Sequence, residues 1–461
     1  MNRIGILPDD VLLGIFDFYV DNGPSYQNKI KTEKWQLLIH VCRRWRTLVL
    51  ASPHRLNLQL YCTPDTPTWD TLDVWPALPL IVSGVIGLNI DNIIAALKGS
   101  NRVCQVDLWR IAGWQLEIVS ATTQVPFPEL TVLRLFSNGE AMPVIPDSFL
   151  NRSAPCLRSF LLEGIPFPGL PNLLLSATHL VDLKLYNIPH SGYISPEAIV
   201  ALTSVLSSLE QLTLEFQSPR SRPDPITITR RPPPSNRSVI PTLRDLFFKG
   251  VVEYLEDLVT AIDAPQIDKL YITFFNQIDF NTPRLAQFIN RTPKLGKREA
   301  IVQFSRSLVR IGLRPGTLQI GISCREPDWQ LSSIEQICNS SSPSLSTVED
   351  LYIDRYRQLV WKDDAIEDTL WLQLLLPFIA VKNLYLSKEF ATGIAAALQE
   401  LDGGRITEVL PSLENIFMEG FEPSGPFQEK VGQFIAARQL SDHPIAISDW
   451  MADEGDDMEL K

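Results

Sequence analysis

The residue types best suited to nucleophilic, acid–base or metal chemistry are few in this chain, and their spacing decides what they can do. The cysteines Cys42, Cys62, Cys104, Cys156, Cys324 and Cys338 stand far apart with no C-x-x-C pair, so neither a zinc site nor a disulfide framework is suggested. The histidines His40, His54, His179, His190 and His443 are equally scattered. A thiolate–imidazole pair such as Cys324 or Cys338 with His179 would need tertiary assembly, and reduced structural thiols are the better expectation. No G-x-G-x-x-G, G-x-x-x-x-G-K-[ST], G-x-S-x-G or H-E-x-x-H occurs, which removes the common phosphate, acyl-transfer and metalloprotease signatures. The expectation is a non-enzymatic chain with no catalytic residue, no metal and no cofactor.

What remains is recognition chemistry carried by apolar, aromatic and charged side chains, and the elements that hold them. With 461 residues, 45% hydrophobic and 20% charged, the chain can bury a large core and divide into more than one unit. No window approaches the roughly 18 uninterrupted apolar residues that a membrane helix needs. Asp9 and Asp10 interrupt the N-terminus too early for a secretory signal. An intracellular protein, cytoplasmic or nuclear, is expected, with no membrane partner. The net charge of -12 is unevenly placed. Residues 1–55 carry three more basic than acidic side chains, so the remainder is strongly acidic and a poor fit for nucleic acid, whose phosphates require a basic surface.

The N-terminal stretch LPDDVLLGIFDFYV predicts a helix over about residues 8–20. Pro8 suits a first helical position, and Asp9 and Asp10 sit where the helix dipole favours negative charge. Val11, Leu12, Ile15, Phe16 and Tyr19 recur at three- and four-residue steps and form one broad apolar face. A second run from about Glu33 to Leu50 places Leu38, Val41, Cys42, Trp45 and Leu48 on one stripe, with Arg43, Arg44 and Arg46 away from it. Helices this short hold too little core to stand alone, so the rest of the chain or a partner must complete them.

Leu7-Pro8 opening an amphipathic helix, followed by Val41-Cys42-Arg43-Arg44-Trp45-Arg46 on a later one, resembles the F-box, a small helical module of about residues 4–52 here. The segment of residues 21–34 is longer and more polar than in a compact F-box. The resemblance implies docking onto the Skp-type adaptor of a cullin-RING (SCF) ubiquitin ligase. The adaptor-facing residues would then be Leu7, Pro8, Ile15, Phe16, Val41, Cys42 and Trp45. A protein of this family does no chemistry itself; it holds a substrate for a ubiquitin-loaded enzyme elsewhere in the assembly.

Beyond the module a short pattern recurs, an apolar residue followed at +3 and +5 by two more. It begins at Leu130, Leu157, Leu180, Leu209, Leu243, Ile267, Val348, Val381 and Leu413. Most intervals fit one strand plus one return element, so the region resembles a degenerate leucine-rich repeat without a regular Asn ladder. The wide interval between Ile267 and Val348 holds an irregular insertion, about residues 293–345. Within it LVRIGLRPGTLQIGISC predicts a hairpin turned at Arg314-Pro315-Gly316. SPEAIVALTSVLSS predicts a return helix capped by Ser195 and opened by Pro196. RLNLQLY and LPLIVSG predict strands that join the two parts.

Strand side chains alternate, so +3 and +5 face the core while +4 faces the open side. Read along the nine units, the +4 positions are Arg134, Leu161, Lys184, Thr213, Phe247, Tyr271, Tyr352, Tyr385 and Phe417. The last five predict a near-continuous aromatic ladder flanked by Lys249, Asp354 and Glu419, suited to binding a protein substrate. A covering loop or the C-terminal segment would be the competing fate of those rings. Residues 217–241 are rich in Pro and Arg and predict an extended loop. The tail MADEGDDMELK carries five acids and predicts a solvated end.

The reading is an α/β chain in three parts. A small helical F-box-like module covers residues 1–54. A curved, degenerate leucine-rich-repeat-like solenoid with a mostly parallel sheet covers 55–450, and an acidic tail 451–461. The function it implies is a substrate receptor of an SCF-type ligase. The competing reading is a non-catalytic repeat scaffold whose N-terminal helices pack on the first repeat and meet no adaptor. Exposure of Leu7, Pro8 and Trp45 separates the two.

Overall fold

The computed structural model describes residues 7–21, 28–53, 55–65, 72, 77–87, 90–221, 237–277, 280–292, 294–295, 298–314, 318–340, 342–355, 368–401, 403–421 and 426–450. Two compact units appear, Met1–Ile194 and Ser195–Lys461.

The first unit opens with three helices that pack on one another, α1 (Asp9–Asp21), α2 (Asn28–Val41) and α3 (Arg43–Ala51). The single helix expected from Glu33 to Leu50 is therefore two. The break falls at Cys42, whose backbone is extended and whose Sγ accepts the amide N–H of Trp45 at 3.5 Å, so that the thiol caps α3. Leu12, Leu13, Phe16, Trp35, Leu38, Ile39 and Val49 are buried.

Six parallel strands follow in sheet order: β1 (Leu60–Cys62), β2 (Leu80–Val85), β3 (Val103–Ile111), β4 (Val132–Ser137), β5 (Ser159–Glu163) and β6 (Asp182–Ile188). The strand expected over residues 55–61 is thus confined to its end. Short return elements alternate with the strands, including helices Asp91–Leu97, Gly113–Thr122 and Leu170–Leu174. A parallel arrangement requires such crossovers, since a two-residue turn cannot join parallel neighbours.

The second unit is built on parallel β7 (Gln211–Phe216), β9 (Asp245–Gly250) and β11 (Lys269–Phe275). The insertion expected to be irregular is an ordered meander of β12 (Glu299–Phe304), β13 (Val309–Arg314) and β14 (Leu318–Ser323). The β13–β14 hairpin is antiparallel as its sequence predicts, while its turn, residues 315–317, lies outside the described residues. The meander enters the sheet backwards, β14 pairing parallel with β11 and β12 parallel with β15 (Asp350–Arg355). Parallel β16 (Asn383–Leu386), β17 (Asn415–Glu419) and β18 (Ala446–Trp450) complete the sheet.

Most of the Pro/Arg-rich loop, residues 222–236, lies outside the described residues. Its end forms β8 (Ser238–Val239), paired parallel with β10 (Ile262–Asp263), a strand that the composition of the loop did not suggest. The tail, residues 451–461, also lies outside them.

All nine +3/+5 pairs are buried core: Leu133 with Leu135 on β4, for example, and Leu351 with Ile353 on β15. The helices close the core from behind. Pro196–Thr203 starts as expected, Ser195 Oγ accepting the Ala198 amide at 3.3 Å. Lys388–Gln399 buries Phe390, Ala391, Ile394, Ala395, Ala397 and Leu398. Within helix Pro426–Leu440, Arg438 is wholly buried. Its guanidinium donates to the carbonyls of Ile406, Leu410, Pro411 and Leu413. That bond set fixes the turn leading into β17, including Leu410 at φ 48°, a left-handed backbone that a leucine adopts only under outside constraint.

Candidate functional site

The N-terminal helices expose more apolar surface than their own packing requires. On α1 the residues at i, i+4 and i+7, Val11, Ile15 and Phe18, are exposed, Ile15 by 47% and Phe18 by 74%. Leu37 and Val41 repeat this one turn apart on α2, Val41 at 59%. A helix apolar on both its core face and its outer face is one that a partner completes.

The adjoining chain entry is held by Arg44. Its guanidinium donates to Asp9 Oδ1 at 2.5 and 3.1 Å and to the Leu7 carbonyl at 2.6 Å. Arg46 donates to the Ile39 carbonyl at 3.0 Å. Two of the three arginines of VCRRWR, Arg44 and Arg46, thus tie the helices together.

Of the residues singled out for adaptor contact, Pro8, Ile15, Val41 and Cys42 are exposed, and Leu7 and Trp45 are half-buried. Phe16 differs. It is fully buried, its ring 4.7 Å from that of Trp45 at 61°, so it is core and supports Trp45 from beneath. Phe18 and Leu37 belong to the exposed surface although the helical stripe passed them by. The available signal was their surplus: they are apolar residues outside a stripe already sufficient for the core.

In the second unit one continuous register row crosses the sheet; it starts at Thr213, which is buried and not open as its +4 position predicts, and runs on to the half-buried aromatic positions. Thr213 pairs across to Phe247, Phe247 to Tyr271, Tyr271 to Gln319, Gln319 to Gly312, Gly312 to Ile301, Ile301 to Tyr352, Tyr352 to Tyr385 and Tyr385 to Phe417. All five aromatic positions therefore lie in line, but not as one ladder. Phe247 and Tyr271 stack at 5.0 Å, nearly parallel. The meander then separates them from a second stack, because four strand steps of about 4.8 Å intervene. There Tyr352 and Tyr385 stack at 4.2 Å, and Tyr385 and Phe417 at 4.6 Å.

Trp450 from β18 leans across this second stack, 6.0 Å from Tyr352 and 5.7 Å from Tyr385. The Arg314 guanidinium sits over the Tyr352 ring at 5.7 Å. The C-terminal segment thus partly covers the stack, while Tyr352, Tyr385 and Phe417 stay partly accessible. Burial, Tyr385 and the carboxylates of Glu299 and Asp350 hold the Tyr352 phenol well above the usual tyrosine range. Tyr385 is also raised, by burial and then Asp350.

Two further rows flank the stack. On one side Asp350 Oδ1 accepts from Asn383 Nδ2 at 2.7 Å, and Asn383 Oδ1 accepts from Asn415 Nδ2 at 2.8 Å. This is a short amide ladder, though the repeat pattern promised none. On the other side stand Asp354 and Glu419, with Glu389 beside them; Arg355 pairs with Glu389 and, at 3.6 Å, with Glu419. Burial raises the Asp354 carboxyl, its own neighbour Arg355 lowers it, and Glu419 and Glu389 raise it further as like charges.

The first unit has an aromatic spot of its own that the nine-unit reading passed over. VCQVDL, residues 103–108, fits the same template and became β3. Trp109 on this strand is exposed and stacks on Phe136 at 3.6 Å and 7°. Strand alternation places it opposite core Leu108, and the sheet register shifts just beyond it, where Arg110 takes φ 58°. Asp107 beside it is buried; burial raises its carboxyl, partly offset by Arg134 and a hydrogen bond from Trp109.

A cavity behind the meander is lined by Ile289, Ile311, Leu313, Leu318, Ile320, Ile337, Cys338 and Leu345. Burial raises the Cys338 thiol far above the usual range. Among the described residues no group of three His, Cys, Asp or Glu side chains has the arrangement of a metal site. No described helix is long and apolar enough to cross a membrane.

No known family model matches the chain, and no curated protein matches it. Among solved structures it is similar to the leucine-rich repeat-containing protein LegL7 from Legionella pneumophila, at 13% identity, with 82% of this chain and 97% of that one covered and a TM-score of 0.29. The architecture defined by the strand register is an α/β repeat of solenoid-like layout.

Proposed function

We propose that the chain is a substrate receptor of an SCF-type ubiquitin ligase. α1–α3 dock a Skp-type adaptor, and through it a cullin-RING ligase, while the open face of the repeat region holds a protein substrate. The observation that carries the docking half is the exposed apolar surface of Val11, Ile15, Phe18, Leu37 and Val41 beside a Leu7-Pro8 entry that Arg44 holds in place. Burying an apolar side chain of this size contributes about 1.5–3 kcal/mol, so a few of them suffice for a specific complex. Pro8 and half-buried Trp45 lie at the margin of this surface rather than deep in the core, the arrangement that favours docking over the closed-scaffold reading. The cargo half rests on the two aromatic stacks, which are partly accessible, seated on strands and flanked by charge. The expected site residues there are Phe247, Tyr271, Tyr352, Tyr385 and Phe417.

Affinity capture of a purified Skp-type adaptor tests the docking half. Wild type should retain it; Leu7→Ala with Pro8→Ala, and Ile15→Ala with Val41→Ala, should lose it without change in circular dichroism. A folded wild type that retains no adaptor would move the protein to the scaffold class.

A further inference from the structure

The second aromatic stack lies in a trough between carboxylates. Glu299 and Asp350 are adjacent in register on one side, and Asp354, Glu419 and Glu389 lie on the other. Alternate residues along a strand are about 7 Å apart, so each row of acids is within reach of a side chain lying on the rings. Among the described residues the guanidiniums beside these carboxylates are Arg314, over the Tyr352 ring, and Arg355, shared between Glu389 and Glu419. Carboxylates thus outnumber guanidiniums. Among the described residues two polar atoms also lack a partner: Glu389 Oε2, whose companion oxygen pairs with Arg355, and the hydroxyl of wholly buried Ser387. A buried carboxylate oxygen without a donor is costly unless something supplies one. Arg314 on Tyr352 shows within the chain how a guanidinium sits on this stack.

We propose that this trough binds an arginine- and lysine-rich segment of a partner protein. The alkyl stems of its cationic side chains lie along Tyr352, Tyr385, Phe417 and Trp450, and their charged ends meet the two carboxylate rows. The proposal rests on the reading of the open face as the cargo surface and adds the chemistry of the cargo. An acidic or phosphorylated segment would meet like charge on both sides. The chain's own acidic tail would be repelled in the same way, although its five acids raise the rate at which a basic partner arrives.

The test is fluorescence anisotropy of labelled octa-arginine and octa-glutamate peptides with the full chain, at low and at physiological salt. Octa-arginine should bind and octa-glutamate should not. Glu299→Gln with Asp350→Asn, and separately Asp354→Asn with Glu419→Gln, should each weaken octa-arginine by about tenfold, the cost of losing paired interfacial charges. Tyr385→Ala should weaken it by a similar factor. Glu326→Gln with Asp328→Asn makes the same charge change at exposed positions off this face and should leave affinity within about twofold, since screened distant charges count little.

Equal weakening by the trough and control variants would mean general attraction to an acidic protein and would overturn the proposal. So would absence of octa-arginine binding by the folded wild type. Tightening by about tenfold when Arg222, Arg230 and Arg231 are changed to Ala would identify the chain's own segment as the occupant instead. Adaptor capture is read independently: capture without peptide binding removes this proposal alone, and peptide binding without capture removes the ligase reading alone.

Discussion

Ile15 and Phe16 are neighbours on α1 with opposite environments, and truncating each to alanine should give opposite results. Phe16 is fully buried with the Trp45 ring at 4.7 Å. Phe16→Ala should cost about 3–5 kcal/mol, of which the edge-to-face pair with Trp45 supplies about 0.5–1.5. A unit of three short helices has little stability in reserve, so this loss should open α1–α3 locally. Ile15 is 47% exposed; Ile15→Ala removes atoms already half in water and should cost about 1 kcal/mol or less. Hydrogen exchange resolved by peptide is the assay. In Phe16→Ala the amides of α1, α2 and α3 should lose protection while those of β4–β6 keep theirs, and adaptor capture should fail because the module is open. In Ile15→Ala protection should match wild type and capture should still weaken. Equal exchange behaviour in the two variants would refute the division of α1 into a core face and a docking face.

Arg438→Leu should lower stability by about 2–4 kcal/mol in urea unfolding, because four carbonyls lose a charged donor while the burial cost of a guanidinium is relieved; an unchanged midpoint would show that this bond set holds nothing. Asp107 has its carboxyl raised by burial, so wild type loses stability as pH rises through that folded-state value and is unaffected below the ordinary aspartate range. Asp107→Asn should therefore be more stable than wild type at neutral pH, with the difference vanishing below about pH 4. A variant less stable at neutral pH would contradict that sign. Cys42 and Cys156 are exposed, whereas Cys62, Cys324 and Cys338 are buried, the Cys62 thiol pushed up to about 11 by burial. A thiol reagent should modify the first two in the native protein and the other three only on unfolding; rapid native modification of Cys338 would overturn its placement.

The repeat pattern was legible because its signal is periodic. Every one of the nine units became a strand with its +3 and +5 residues buried, and the register placed all five aromatic positions in one row. The break between the two stacks was not legible, since it depends on the meander entering the sheet between β11 and β15, a long-range pairing that no local spacing encodes. The division of the second N-terminal helix was hidden for a different reason. Val41 and Cys42 continue the apolar stripe, and only the cap formed by the Cys42 thiol, a weak acceptor outside the usual capping residues, marks the stop. Phe16 fell on the same stripe as Ile15, and helical spacing alone does not tell a helix with one apolar face from a helix with two.

The proposed engagement of an adaptor through α1–α3 is open to direct measurement. Its most direct test is light scattering on a size-exclusion column with the 52.0 kDa chain and a purified Skp-type adaptor. A single peak at the summed mass of one chain and one adaptor is expected, which Ile15→Ala with Val41→Ala separates into its components while the chain stays folded. Two separate peaks from the folded wild type at micromolar concentration would contradict it.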